Sequence, residues 1–343
     1  MTAEARDARA PTDDDQRASG RGRLALVTGA AGVMGARLVR GLLDAGWAVR
    51  ALVLPGDPLR TRLTGLGCDL REGDVSDRES LRGACDGVDT VFHLAAVIIS
   101  PDPSVFQRVN RNGTAHLVRE ASAARVRHFI YVSSASVVYP RRTLYAESKL
   151  QAEKLVTDEH AFAHTIVRPT LVYEENGGQE FLMFLDYLRR FPVVPFIGDG
   201  RALKRPVLAA DIVDGLLRLA GNARAFGKTY NFSGGEAISI GALAHLMLQH
   251  HGGDRRFVHL PVWFCRLAAR LMALVMAKPP LTSNAIAGVV NDANLDPTEA
   301  THDLGYRPLG VHEGFSRCFS PVTAPSMIPG GSVQLSAQEG NGR

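Results

Sequence analysis

The chain has 343 residues, 45% hydrophobic and 22% charged, enough for one large domain or a domain with a smaller lobe around a substantial core. Its net charge of +4 is spread along the chain with no Lys/Arg block, which excludes the basic patch of a nucleic-acid binder. The four cysteines (Cys68, Cys85, Cys265, Cys318) form no C-x-x-C pair, so neither a metal site nor a disulfide framework is expected, and reduced thiols in the cytoplasm are.

Residues 1–22 have no apolar core and read as a disordered polar leader, not a signal peptide. "RLALVT" (23–28) is a strand ending at a glycine-rich turn. The helical stretch that follows shares Val33, Leu38, Leu42 and Leu43 on one face. "WAVRALVL" (47–54), "VDTVFHLAA" (88–96) and "HFIYVSS" (128–134) are strand-like, with helical segments around 77–86 and 104–124 between them. Near-continuous apolar strands alternating with helices predict a doubly wound α/β fold with a parallel sheet buried on both faces. "HTIVRPTLVY" (164–173) and "KTYNFSGG" (228–235) add strands, and helices fill much of the rest. The domain reading is a dinucleotide-binding unit over 23–175, a substrate-binding region over 176–319 interleaved with it, and a disordered tail over 320–343. "VWFCRLAARLMALVMA" (262–277) carries two arginines and is shorter than the roughly 20 apolar residues of a spanning helix. It reads as a helix packed on the core or covering an apolar substrate, with peripheral membrane contact as the other reading.

"VTGAAGVMGARL" sets Gly29, Gly32 and Gly35 directly after the first strand and at the opening of a helix. The first allows a sharp turn, the second a close approach of backbone N–H groups to a pyrophosphate, and the third tight helix packing. The spacing is G-x-x-G-x-x-G, and the turn reads as a dinucleotide site that includes Val33 and Met34. At the end of the second strand stand Val53 and Leu54, neither acid nor base. Asp57 follows, then Arg60 and Arg62, and the reading is NAD with NADP left open. In "EGDVSD" (72–77), Asp74 is placed to accept from an adenine amino group and Val75 to line the ring; the other reading is a local cap.

"YAESK" sets Tyr145 and Lys149 one helical turn apart on one face. The chain holds 39 Lys+Arg, of which only five are lysine, so with seven tyrosines about 0.1 chance Y-x-x-x-K matches are expected. A tyrosine near pKa 10 needs help to work as an acid/base, and a neighbouring ammonium favours its phenolate. A lysine, as a compact charge with rotatable donors, suits that task better than arginine.

With "GDVSD", "HLAA" (93–96), "VNRNGT" (109–114), "VSSASV" (132–137), "RPTLVY" (168–173) and "LGYRP" (304–308), the chain resembles the extended short-chain dehydrogenase/reductase superfamily from about 23 to 315. The resemblance implies a nicotinamide cofactor across the carboxyl edge of the sheet and a substrate held mainly by the second half. It implies that Ser134 orients the substrate oxygen, that Asn110 supports a hydrogen-bond link to Lys149, and that Ala95, Ala96, Arg168 and Pro169 lie along the cofactor. His93 is expected to be a satisfied structural histidine and Asp211 a helix cap. Only ten residues separate Ser134 from Tyr145, which puts the usual sugar-contacting loop in doubt. The favoured function is interconversion of a secondary alcohol and a ketone on an apolar small molecule, by a homodimer. The alternative is a nucleotide-sugar 4-epimerase or dehydratase, against which stand the missing Asn before Asn176 and the Ala135-Ser136 pair after Ser134. A non-catalytic subunit is disfavoured because both Tyr145 and Lys149 are kept.

Overall fold

A seven-stranded parallel sheet organises the chain, in the order β11-β6-β5-β4-β1-β2-β3. Its strands are β1 (Leu24–Thr28), β2 (Ala48–Val53), β3 (Asp69–Glu72), β4 (Thr90–His93), β5 (His128–Val132), β6 (Ala163–Pro169) and β11 (Lys228–Phe232). The computed structural model describes residues 23–175, 178–251, 253–276 and 281–319; the expected leader, the expected tail and Asn176 lie outside them. Strands β4 and β5 are buried along their whole length, which is why they carry unbroken apolar runs. Edge strand β3 is mostly exposed and correspondingly polar.

The first helix, α1 (Val33–Asp44), buries Leu38, Val39 and Leu42 against one face of the sheet. The helix expected around 77–86 is a single 3₁₀ turn, Glu79–Leu81. Asp77 accepts from the Glu79 N–H, and Gly83 turns out of the helical region at φ +73°, so the segment breaks up. The helix expected over 104–124 has two parts, a π-helical stretch Phe106–Asn112 and then α2 (Gly113–Ala123). Gly113 is required at the joint, since a Cβ there would lie 2.8 Å from Val75 Cγ2. Helix α3 (Leu144–Thr157), capped by Thr143, carries the Tyr145 and Lys149 pair.

The second half holds the expected helices and, between them, short strands its sequence did not announce. Strand β8 (Val193–Ile197) pairs in parallel with β13 (Arg256–Leu260), and three further short strands form two small ribbons with β7 (Val172–Tyr173) and with each other. Pro192 and Pro195 mask the strand signal of β8. Helix α4 (Gln179–Arg190) buries Phe181, Leu185 and Leu188 in a cluster shared with Tyr173, Phe196 and Phe315. Helices α5 (Ala209–Leu219), α6 (Ile240–His250), α7 (Val262–Val275), α8 (Ser283–Val290), α9 (Thr298–Leu304) and α10 (Val311–Cys318) complete the described fold.

Candidate active site

The glycine turn is built for a phosphate group. Gly29 has φ +67°, and a Cβ on it would lie 2.9 Å from the Ala95 N, so turn and post-β4 loop touch. A Cβ on Gly35 would sit 2.2 Å from the Gly29 carbonyl oxygen. Gly32 occupies the N-cap of α1 and offers no side-chain acceptor, so the first N–H groups of the helix, at Val33, Met34 and Gly35, keep their donors for an anion. This cradle fits a dinucleotide pyrophosphate. Val33 lines a cavity of about 430 Å³ with Arg37, Arg62 and Glu174, whereas Met34 packs against the core.

The adenosine end differs in detail from expectation. The Asp74 carboxylate accepts from the Ser76 N–H at 2.8 Å, the capping alternative, and Val75 is 5% exposed, packed on Gly113 inside the core. Asp57 accepts from the Leu59 N–H and Arg60 pairs with Glu72, while Arg62 donates to the Ala31 carbonyl at 3.1 Å, inside the glycine turn.

Around β4 and β5 the polar groups interlock. The Thr28 hydroxyl takes the Ala95 N–H at 3.1 Å and faces His93 Nδ1 at 2.7 Å. His93 Nε2 meets the Thr114 hydroxyl at 2.9 Å, and burial pushes the imidazole down to about 3, so it is the neutral structural histidine expected. Asn110 is 1% exposed. Its amide donates to the Val97 carbonyl (2.9 Å) and the Ser148 hydroxyl (3.1 Å), and its carbonyl accepts the Val97 N–H (2.8 Å). The π-helical turn brings that amide far enough round to clamp the loop after Ala96 onto the residue beside Lys149.

Ser134 ends β5 as the cap of a 3₁₀ turn, with its hydroxyl 2.9 Å from that of Ser136. It also lies close enough to the Tyr145 phenol to pull its pKa down, which brings serine and tyrosine together. The Tyr145 pKa is raised by burial and then by the Glu180 carboxylate, while the Ser134 hydroxyl pulls the other way. The depression expected from Lys149 is not there in the free chain. The reason is geometric: the Lys149 ammonium, on a residue 1% exposed, turns inward and donates to the Val132 carbonyl at 2.7 Å. Burial pushes it down to about 7, and Glu153 pulls it partway back. An ammonium so held is poised to lose its proton and act as a weak point charge until a ligand arrives.

The Arg168 guanidinium grips Glu153 with two bonds, of 2.9 and 2.7 Å, which ties the end of β6 to the helix that carries Lys149. Pro169 ends β6 opposite Phe232. Asp211 is no cap, because the N-cap of α5 is Leu208; its carboxylate accepts from the Leu309 N–H across the lobe.

Sequence reasoning overlooked Glu180, in the first turn of α4. Its carboxylate acts on the phenols of both Tyr145 and Tyr139 and on the Lys204 ammonium. Its surface is exposed, yet protein surrounds it on many sides and desolvation raises its pKa. Both hold for a side chain that protein crowds without covering. The scarcity of lysine could have flagged Lys204, a residue 2% exposed whose ammonium donates to the Gly288 carbonyl at 2.8 Å. Among the described residues no group of His, Cys, Asp and Glu could hold a metal ion, and no helix is long and apolar enough to cross a membrane.

Comparison with known proteins agrees with this geometry. The model of the NAD dependent epimerase/dehydratase family matches residues 25–233. A 4-hydroxy-2-methyl-3-oxo-4-farnesyl-3,4-dihydroquinoline-1-oxide ketoreductase from Stigmatella aurantiaca is 27% identical over 84% of this chain and 92% of its own. A ceramide reductase from Caulobacter vibrioides is 32% identical over 68% of this chain and 73% of its own. A dTDP-glucose 4,6-dehydratase from Streptomyces venezuelae, solved with NAD bound, shares the fold at a TM-score of 0.67 and 23% identity over 86% of this chain and 95% of its own.

Proposed function

The chain belongs to the NAD-dependent epimerase/dehydratase family, with NAD as its cofactor, and on that premise we propose that it interconverts a secondary alcohol and a ketone on an apolar small molecule. The observation that carries the apolar substrate is the set of exposed hydrophobic side chains on the segments around Tyr145. Ile98 and Ile99 follow the Asn110-clamped loop, Val138 and Leu144 lie between Ser134 and Tyr145 or next to it, and Met183 stands one turn beyond Glu180. Water-facing apolar groups concentrated at a cleft favour an apolar ligand. Reductases named for a farnesyl-bearing ketone and for ceramide support the same reading.

When bound, the nicotinamide exchanges a hydride with the substrate carbon. Gly29, Gly32, Gly35 and the first N–H groups of α1 hold the pyrophosphate, with Ala95 and Ala96 along the cofactor path. Ser134 donates to the substrate oxygen and orients it. The Tyr145 phenol, kept neutral by burial and by Glu180, gives its proton to that oxygen in reduction and recovers it in oxidation. Lys149 sits beneath, and recharging of its ammonium favours the phenolate at the moment it forms. Asn110 acts through Ser148 and the Val97 backbone, as a positioning residue.

The alternative, a nucleotide-sugar epimerase or dehydratase, lacks an acid beside Ser134: Ala135 is buried and Ser136 is engaged by Ser134. The test is turnover of apolar ketones followed by NADH absorbance, and of UDP- and dTDP-sugars followed by chromatography of the sugar product, since epimerisation and dehydration consume no net NADH. The reading predicts loss of NADH with ketones and its abolition in Tyr145→Phe with NADH affinity intact. Turnover of sugar nucleotides alone would refute it.

A further inference from the structure

Helix α7 (Val262–Val275) is inside out. Its inward stripe is small, with Cys265 and Ala269 buried against Ile197 and Ile286. Its outward stripe carries Trp263 (68% exposed), Phe264 (47%), Leu267 (48%), Leu271 (56%), Leu274 (81%) and Val275 (83%). At 100° per residue these six fall within about a third of the circumference, on the side away from Cys265. A lone exposed leucine needs no account, but six neighbouring large apolar side chains form a patch of the kind that marks an interaction surface.

The charge around that stripe selects the partner. From Arg255 to Met276 the chain has four arginines and no Asp or Glu. Arg266 and Arg270 project from α7 beside the apolar stripe, and exposed Arg256 starts the adjoining strand β13. An apolar ridge rimmed by cations, on a helix too short to span, fits a surface that is anionic outside and hydrocarbon within. We propose that α7 docks this protein on the face of an anionic lipid bilayer, with the aromatic and leucine side chains in the acyl boundary and Arg256, Arg266 and Arg270 on the headgroups. A second copy of the chain would offer the same cations to each other and lacks that complementarity. The proposal does not depend on the alcohol–ketone reading. The helix is joined to the candidate active site, because α7 packs on α8, whose C-terminal carbonyls at Gly288 and Asn291 are held by Lys204, and Lys204 lies within the field of Glu180 beside Tyr145.

The chain supplies its own probe. It has two tryptophans, Trp47 at 6% exposure and Trp263 at 68%. The full chain is titrated with vesicles of phosphatidylcholine alone and of phosphatidylcholine with phosphatidylglycerol in equal parts, reading tryptophan emission and co-sedimentation. Anionic vesicles are expected to blue-shift the emission and pull the protein down. Leu271→Glu with Leu274→Glu should abolish both effects at an unchanged melting temperature, since both sites are exposed. Arg266→Gln with Arg270→Gln should weaken binding about twenty-five-fold, at roughly fivefold per arginine. No shift on anionic vesicles, or a shift that survives the double glutamate variant, overturns the proposal. So does a dimer in solution that the double glutamate variant splits into monomers, for then a second copy covers the helix. NADH-linked turnover of a water-soluble ketone is measured alongside and is expected to be unchanged in both variants, which separates failure of docking from failure of the chemistry.

Discussion

Replacing Lys149 with methionine should make the nucleotide-free protein more stable near neutrality while destroying its activity. Lys149 is 1% exposed, and burial brings its ammonium from the ordinary 10.5 down to about 7. At about 1.4 kcal/mol for each tenfold, that depression costs the fold about 5 kcal/mol wherever both states are protonated. The unfolded chain keeps the proton up to about 10.5 and the folded chain releases it near 7. Between those values the unfolded state binds more protons, so stability rises with pH; below 7 the full cost is carried, and above 10.5 it is gone. Methionine removes the charge at similar volume and forfeits the bond to the Val132 carbonyl, worth about 1–3 kcal/mol. The expected net gain is about 2–4 kcal/mol near pH 6, turning to a loss of about 0–2 kcal/mol near pH 10, where about 1 kcal/mol of the burial cost remains. Urea unfolding of both proteins, without nucleotide, at steps from about pH 6 to about pH 10 reads the difference directly. Taking the difference cancels Lys204, whose ammonium is also depressed by burial. A gap that stays constant with pH, or a variant less stable throughout, would show that Lys149 is not a buried charge in the free chain.

Three other substitutions probe other parts of the site. Gly35→Ala puts a methyl 2.2 Å from the Gly29 carbonyl oxygen, where only backbone can yield, and should cost about 1–3 kcal/mol or more and abolish NADH binding, read by melting and by NADH fluorescence. Arg168→Met leaves Glu153, 7% exposed at its side chain, without its doubly bonded partner; it should cost about 3 kcal/mol by urea titration, most of it recovered when Glu153→Met is added. Glu180→Gln removes a charge that raises the Tyr145 pKa, so the midpoint of the pH–rate profile assigned to Tyr145 should move to lower pH in either reaction direction, by under about one unit because solvent screens the pair. An unmoved profile would place Glu180 outside the reach of Tyr145.

The sheet was legible because burial on both faces writes itself into composition. Strands such as "HFIYV" have no polar alternation to hide them, and the glycine turn names itself by spacing. Tyr145 stood out against a chain poor in lysine, whereas Ser134 was singled out from Ser133 and Ser136 only by the family resemblance of "VSSASV". What escaped depends on long-range geometry. The inward aim of Lys149 is set by the Val132 carbonyl, 17 residues back in the chain, and the capture of Arg168 by Glu153 spans 15. Glu180 carries no local mark at all, because a carboxylate in the first turn of a helix is ordinary. The short strands of the second half escaped because prolines in β8 and the two-residue strands around it leave no periodic signal. The outward apolar face of α7 was ambiguous for the opposite reason: periodicity reports that a helix has two faces, not which of them finds a partner.

Strand β11 has a bearing on how the molecule comes to be. It pairs with β6 from Thr165 to Pro169, yet it begins 59 residues after that strand ends. Until Lys228–Phe232 is made, β6 is an open edge of buried, β-branched residues, the most adhesive surface a growing sheet can show. Thr165 and His164 also wait for the segment before β11, through bonds to the Ala225 carbonyl and from the Gly227 N–H. The nucleotide-binding sheet therefore closes only after much of the second half has been synthesised. A fragment cut near residue 175 would carry the glycine turn, Ser134, Tyr145 and Lys149, but would expose the unpaired β6 edge and be drawn toward aggregation.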